Sequence, residues 1–111
     1  MKLGVCTFPT AHGLLPTELA ALAEEAGFES LWFAEHSHIP VSRLSPWPGG
    51  DELPEFYSRV LDPVAAIAAA AAVTERIRLG FGIALVAQRD PIQFAKSVAS
   101  LDVLSDGRVA V

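Results

Sequence analysis

The chain has 111 residues, enough for one modest core and far short of the about 250 residues that a complete (β/α)8 barrel needs. Apolar residues make up 51% and charged residues 19%, a balance that excludes a disordered segment and favours a packed α/β domain. The net charge of −5 is spread over scattered Asp and Glu with no run of Lys or Arg, which argues against nucleic acid or an anionic membrane as partner.

In chain order, Leu3 to Phe8 is a short apolar run ended by Pro9, the pattern of a strand covered on both faces. It contains the single cysteine, Cys6, expected to behave as a small buried hydrophobe. The run is shorter than the roughly 7 to 15 residues of a secretory h-region, so a cytoplasmic location is expected. From Pro16, the residues Leu19, Leu22, Ala23 and Ala26 recur at helical spacing, with Pro16 suited to the first turn and Gly27 to the C-terminal cap. Ser30 to Ala34 forms the second apolar run and leads into Glu35 and His36.

An irregular stretch from Ser37 to Val60 follows, with Pro40, Pro46, Pro48, Gly49, Gly50 and Pro54 beside Trp47, Phe56 and Tyr57. Long connections in compact domains tend to carry function, and the three aromatics suit either a substrate lid or a cluster that packs the loop. Asp62-Pro63 is an N-cap with a first-turn proline, opening a helix to about Glu75. This alanine-rich segment falls far short of the roughly 20 apolar residues that span a bilayer. Ile77 to Ala84 reads as the third strand. Asp90-Pro91 opens a third helix with Ile92, Ala95, Val98, Ala99 and Leu101 on one face, stopped by Ser105-Asp106-Gly107, after which Arg108 to Val111 begins a fourth strand.

The order β-α-β-α-β-α-β, without a linker, describes one domain over residues 1–111 built on a parallel sheet with right-handed crossovers. Two closures fit: a small open sheet with helices on both faces, or the N-terminal half of a (β/α)8 TIM barrel with helices on one face. Gly80 and Gly82 alternate inside the third strand, where close approach of a ligand or a local distortion explains them. No G-x-G-x-x-G follows the first strand and no P-loop is present, which removes the main support for a nucleotide-binding open sheet.

Residues Leu22-Ala-Glu-Glu-Ala-Gly-Phe-Glu-Ser-Leu-Trp-Phe-Ala-Glu-His36, with Pro40 after them, resemble the second-strand signature of luciferase-like monooxygenases and their deazaflavin-dependent relatives. Arg76-Ile-Arg-Leu-Gly80, Gln88-Arg-Asp-Pro-Ile-Gln-Phe-Ala-Lys96 and Leu101-Asp-Val-Leu-Ser-Asp-Gly-Arg108 are similar to that family's third strand, third helix and entry to strand four. The motifs occur in the family's order and span most of residues 3–111; only Ser37 to Val60 matches weakly. The resemblance implies half of a TIM barrel, since family members continue into a glycine-rich turn and four more strands that hold the cofactor phosphate.

It also implies an oxidoreductase that moves a hydride between coenzyme F420, or alternatively FMN, and a small organic substrate. The Ala34-Glu-His-Ser-His-Ile-Pro40 run looks more like the F420-dependent branch. In a parallel barrel, chemistry gathers at the C-terminal ends of the strands, where His12, Glu35, His36, His38 and the Gly82 to Gln88 stretch lie. His36 matches the family histidine near the reactive ring and is the first catalytic candidate, since imidazole exchanges protons near neutral pH; an ordinary loop histidine is the alternative. Glu35 acts directly or orients His36. Gly82 and Ile83 match a non-prolyl cis peptide behind the cofactor ring, so Gly82, Ile83 and His36 are the cofactor-binding candidates. His12 touches substrate or caps a turn, and Trp32, Phe33 and Phe81 are expected in the core rather than stacked on a cofactor.

Two other readings stay open. His36 and His38 lie on one face of a strand end, as in metal-dependent barrel hydrolases, although no metal site is complete within the sequence. A half-barrel is alternatively a non-catalytic assembly unit. Val5, Phe33 or its neighbours, Phe81 and Val109 are expected to fill the barrel interior and to lie uncovered in a half-barrel. Such a face, with open sheet edges, drives association into a homo-oligomer.

Overall fold

The computed structural model describes residues 1–42, 44, 47–50 and 52–111; Pro46, counted above in the irregular stretch, lies outside them. Four strands alternate with three α-helices: β1 (Gly4–Thr7), α1 (Pro16–Glu25), β2 (Ser30–Phe33), α2 (Pro63–Ala71), β3 (Arg78–Phe81), α3 (Pro91–Leu104) and β4 (Val109–Ala110). All strand pairings are parallel and the sheet order is β1-β2-β3-β4. α1 packs on α2 and α2 on α3, and all three contribute to one buried cluster with Leu31, Phe33, Leu79 and Phe81. Sequential strand order with every helix on one face is the half-barrel arrangement and not the open sheet.

The capping residues act as their positions dictate. Asp62 Oδ1 accepts the N–H groups of Val64 and Ala65 at 2.8 and 3.2 Å, and Asp90 Oδ1 accepts that of Gln93 at 2.8 Å, each followed by a first-turn proline. Gly27, after the end of α1, has φ +80°. The helix faces differ from those expected. α1 buries Pro16, Ala20 and Ala23 while Leu22 is exposed, and α3 buries Phe94 and Leu101 while Ile92, Ala95 and Ala99 are exposed. Small residues face the sheet because α1 and α2 approach it and one another closely, which leaves no room for leucine there.

The two faces of the sheet are also exchanged relative to expectation. Phe33 and Phe81 point to the helices and are buried, with Phe81 edge-on to Phe94 at 5.5 Å; Val5 and Val109 pack against the same core. Because side chains alternate along a strand, the row Cys6, Trp32, Gly80 and Ala110 faces the other side. Cys6 is therefore exposed rather than buried. Trp32 covers much of this face, its Nε1 donating to Ser30 Oγ at 2.9 Å. A Cβ on Gly80 would collide with the indole ring, so a glycine is required beneath it.

α2 stops at Ala71 rather than near Glu75 because Arg108 takes over the free carbonyls. Its Nη2 donates to Ala71 O and Thr74 O at 3.1 and 2.9 Å, its Nη1 to Thr74 Oγ1 and Ile77 O at 2.9 and 3.0 Å, and its Nε to Ser105 O at 2.7 Å. The following turn is held from the other side by Glu24, whose carboxylate accepts the N–H groups of Glu75, Arg76 and Ile77, the last two at 2.6 and 2.7 Å. Among the described residues, no helix is long and apolar enough to cross a membrane.

Partial burial raises the Glu24 carboxyl, but the three backbone hydrogen bonds outweigh it and hold the group below its ordinary value of 4.5. A depressed carboxyl stabilises the fold above its unfolded pKa and loses that contribution as pH falls through the folded value. Glu24→Gln should therefore lower stability by about 1 kcal/mol at pH 7 and flatten the loss of stability below pH 4.5. Urea unfolding at pH 7 and pH 3.5 checks both; parallel pH profiles for the two proteins would contradict the assignment.

Candidate functional site

At the C-terminal end of the sheet, the connection after β2 folds back on the connection after β1. Thr10 and Val60 form an antiparallel bridge, Ala11 N–H donates to Arg59 O at 3.1 Å, and Leu61 N–H donates to Pro9 O at 2.7 Å. This seam brings the 3-10 turn Glu55–Arg59 over the strand ends. Tyr57 is its centre: it stacks on Phe56 at 4.5 Å, tilts against Phe8 at 5.4 Å and meets Trp47 edge-on at 6.4 Å. The imidazole of His36 meets the Tyr57 ring edge-on at 5.3 Å and an interplanar angle of 73°. The aromatics of the long loop thus form one cluster that packs the loop and borders His36.

Glu35, the neighbour of His36, is 5% exposed. Its Oε2 accepts the Leu85 N–H at 2.7 Å, and its Oε1 accepts Arg89 Nε at 2.9 Å and also Nη2. Arg89 Nη2 donates further to Asp62 Oδ2 at 2.9 Å, while Asp62 Oδ1 caps α2. The Arg89 guanidinium stands 5.4 Å from the Phe94 ring. The hydrogen bond to Glu35 raises the Arg89 pKa, partial burial opposes this, and the bond to Asp62 adds to the rise, with a net shift upward. Arg89 therefore stays charged, as a buried carboxylate partner must.

Farther out, Ser37 Oγ donates to Gln88 Oε1 at 2.5 Å and lies 2.8 Å from His38 Nδ1. Between these loops opens a cleft of about 530 Å³ lined by Glu35 to His38, by Val60 to Pro63, and by Gln88 and Arg89. The structure thus brings Glu35, His36 and His38 together. None of Glu35's hydrogen bonds goes to His36; they go to the connection between β3 and α3. His12 is exposed on the connection after β1 and does not line the cleft. Among the described residues, no group of three or more His, Cys, Asp or Glu is placed to hold a metal ion.

Gly82 and Ile83 follow β3 and are exposed, outside the cleft lining. No cis peptide bond occurs among the described residues, so the Gly82–Ile83 bond is trans, contrary to the expected cis geometry. A non-prolyl cis bond costs about 3–4 kcal/mol, and an exposed strand end open to water on one side does not impose it. Gly82 has a requirement of its own: a Cβ there would lie 2.7 Å from Cys6 Sγ. Sequence reasoning missed Arg89 as the partner of Glu35 and Asp62 as the second acceptor of Arg89. A carboxylate that ends an apolar run implies a cation, but the sequence does not say which arginine supplies it.

The fold is a parallel βα half-barrel whose strand-end cleft gathers His36, His38 and the Glu35–Arg89 ion pair, with an aromatic cluster bordering His36. The chain belongs to the luciferase-like monooxygenase family, whose sequence model matches residues 11–111. It is 46% identical over 114 aligned positions to an uncharacterized protein of Mycobacterium tuberculosis, covering all of this chain and 40% of that relative. Among solved structures, it is similar to monooxygenase RslO1 from Streptomyces bottropensis, with TM-score 0.72, 34% identity and coverage of 100% of this chain and 32% of that one. It is also similar to coenzyme F420 dependent tetrahydromethanopterin reductase from Methanopyrus kandleri, with TM-score 0.68, 27% identity, and 97% and 25% coverage. The chain therefore spans well under half the length of these relatives and matches the N-terminal portion of their barrels. The family membership does not favour a metal-dependent hydrolase using His36 and His38.

Gly82→Ala should cost about 1–2 kcal/mol through overpacking against Cys6, and Cys6→Ala in the same chain should recover most of it. A double-mutant cycle by urea unfolding reads this coupling directly; additive single effects would rule out the contact as the reason for glycine.

Proposed function

We propose that this chain forms the N-terminal half of the barrel of an oxidoreductase that moves a hydride between coenzyme F420 and a small organic substrate. His36 carries the reading: it sits at the C-terminal end of β2, set edge-on to Tyr57, on the rim of the strand-end cleft. Its imidazole holds or delivers the proton at the substrate oxygen whose charge changes as the hydride moves. Glu35 supports His36 through the loops that it joins, and the Gly82–Ile83 peptide offers an exposed backbone surface against which a flat ring can lie. When bound, the cofactor supplies the hydride-carrying ring. Arg89, a cation on the cleft lining, is already paired with Glu35 and Asp62.

FMN is the alternative cofactor. One solved neighbour is an F420-dependent reductase and another a monooxygenase; the two candidate cofactors differ in chemistry, since reduced FMN activates oxygen and a deazaflavin does not. Fluorescence titration of the full-length protein with each cofactor is expected to give saturable binding of F420 in preference to FMN. His36→Ala should lower kcat at least a hundredfold, with cofactor affinity changed less than threefold, because a proton-handling group acts mainly in the transition state. A kcat within threefold of wild type would remove His36 from the chemistry.

A cytoplasmic, homo-oligomeric protein belongs to the same reading. β1 and β4 are sheet edges, and α3 exposes Ile92, Val103 and Leu104 at 79%, 81% and 67%. Unpaired edges and an apolar helix face both promote association, so sedimentation equilibrium of the 111-residue chain at micromolar concentration should give a dimer or larger. A cooperatively unfolding monomer would contradict this.

A further inference from the structure

We infer that Arg89 is a positioning residue for His36, the hub through which the connection between β3 and α3 holds the end of β2 in place. The inference rests on the proposed role of His36. Three observations point to it. Glu35 precedes His36 in the chain, is 5% exposed and spends its hydrogen bonds on Leu85 and Arg89. Leu85 lies two residues after Ile83, so the same carboxylate sets where the exposed Gly82–Ile83 peptide leads. Arg89 continues the chain of contacts to Asp62, which closes the long loop that carries Tyr57 and caps α2.

The guanidinium thus joins the residue before His36 to the end of the loop whose aromatic ring meets the imidazole. Both supports of the imidazole converge on one side chain. The planar fork matters because Nε and Nη2 both serve Glu35 while Nη2 also reaches Asp62; a lysine is shorter and offers a single nitrogen, so it loses at least one of these contacts. The guanidinium itself stands over the Phe94 ring at 5.4 Å, a cation–π contact that helps to hold the head in place.

The test uses the full-length protein with Arg89→Lys, and with the double variant Arg89→Met and Glu35→Gln. The double variant removes the stranded buried charge and sets an apolar side chain of similar length in place of the arginine, so it is expected to fold even if Arg89→Met alone does not. Three readings are taken: amide exchange of the 83–89 segment, the His36 imidazole resonances, which Tyr57 shifts by its ring current, and dissociation constants for F420 and for FMN. In both variants, the Leu85 amide is expected to exchange at least tenfold faster. The His36 resonances should move towards those of a free imidazole, while those of His12 stay put. The dissociation constant of the cofactor that wild type binds should rise at least tenfold, not through His36 but because Leu85 also sets the Gly82–Ile83 peptide against which the ring lies.

A merely structural role would lower the thermal midpoint while leaving the His36 resonances of the folded protein unchanged, and that result overturns the inference. So does a Leu85 exchange rate within twofold of wild type. The exchange and resonance readings need no cofactor. If wild type binds neither F420 nor FMN, the proposed function falls and these two readings alone decide the role of Arg89.

Discussion

A carboxylate shut away from water at the end of a strand must be met by donors, and the C-terminal side of this half-barrel is organised around meeting Glu35. Leu85 N–H satisfies one oxygen and the Arg89 guanidinium the other. Leaving such a charge unpaired would cost about 3–5 kcal/mol, so the segments that supply its partners are not free to move independently. The start of the loop after β2, the N-terminus of α2 and both halves of the connection before α3 are thereby fixed relative to one another. The cleft exists because these segments are held apart at the distances that the ion pair sets.

The opposite end of the sheet is built on a different principle. There, Arg108 spends all of its donors on Ser105, Ala71, Thr74 and Ile77, and Glu24 accepts three consecutive backbone N–H groups. Both side chains serve the backbone of the same short turn between α2 and β3, and neither borders the cleft lining. Barrels commonly separate a face that maintains the fold from a face where ligands bind. In this chain Arg108 and Glu24 brace the turn at one end, and the Glu35–Arg89–Asp62 network joins the loops at the other.

Much of the fold was legible in the letters because its signals are local. Asp62-Pro63 and Asp90-Pro91 start helices, Gly27 follows the first, and the apolar runs mark β1, β2 and β3. What was not legible depends on distance in space. Leu22 and Ile92 look like core residues by size, yet Ala20 and Ala23 take the inward positions of α1, which lies close to its neighbours, and Phe94 and Leu101 those of α3. Cys6 was read as buried because its run is apolar, but which face of a strand meets the helices is decided by pairing and not by the run itself. α2 was read too long because its terminator, Arg108, lies 37 residues beyond Ala71. At the site, His36, Glu35 and His38 were found from their place after β2, whereas Arg89 was hidden among the motif residues before α3. The Gly82–Ile83 peptide was assigned a geometry by family likeness that the chain does not adopt.

The indole of Trp32 lies over Gly80 on the strand beside it. The two positions are therefore historically bound. While the indole keeps this place, a side chain at position 80 has to displace it. Once position 80 has gained one, the indole cannot return to its place on the sheet. Homologous sequences should divide into those with an aromatic at 32 and glycine at 80 and those with a smaller residue at 32 and a filled position 80, with few intermediates. This pair of sites is thus a marker of descent within the family, set by one van der Waals contact.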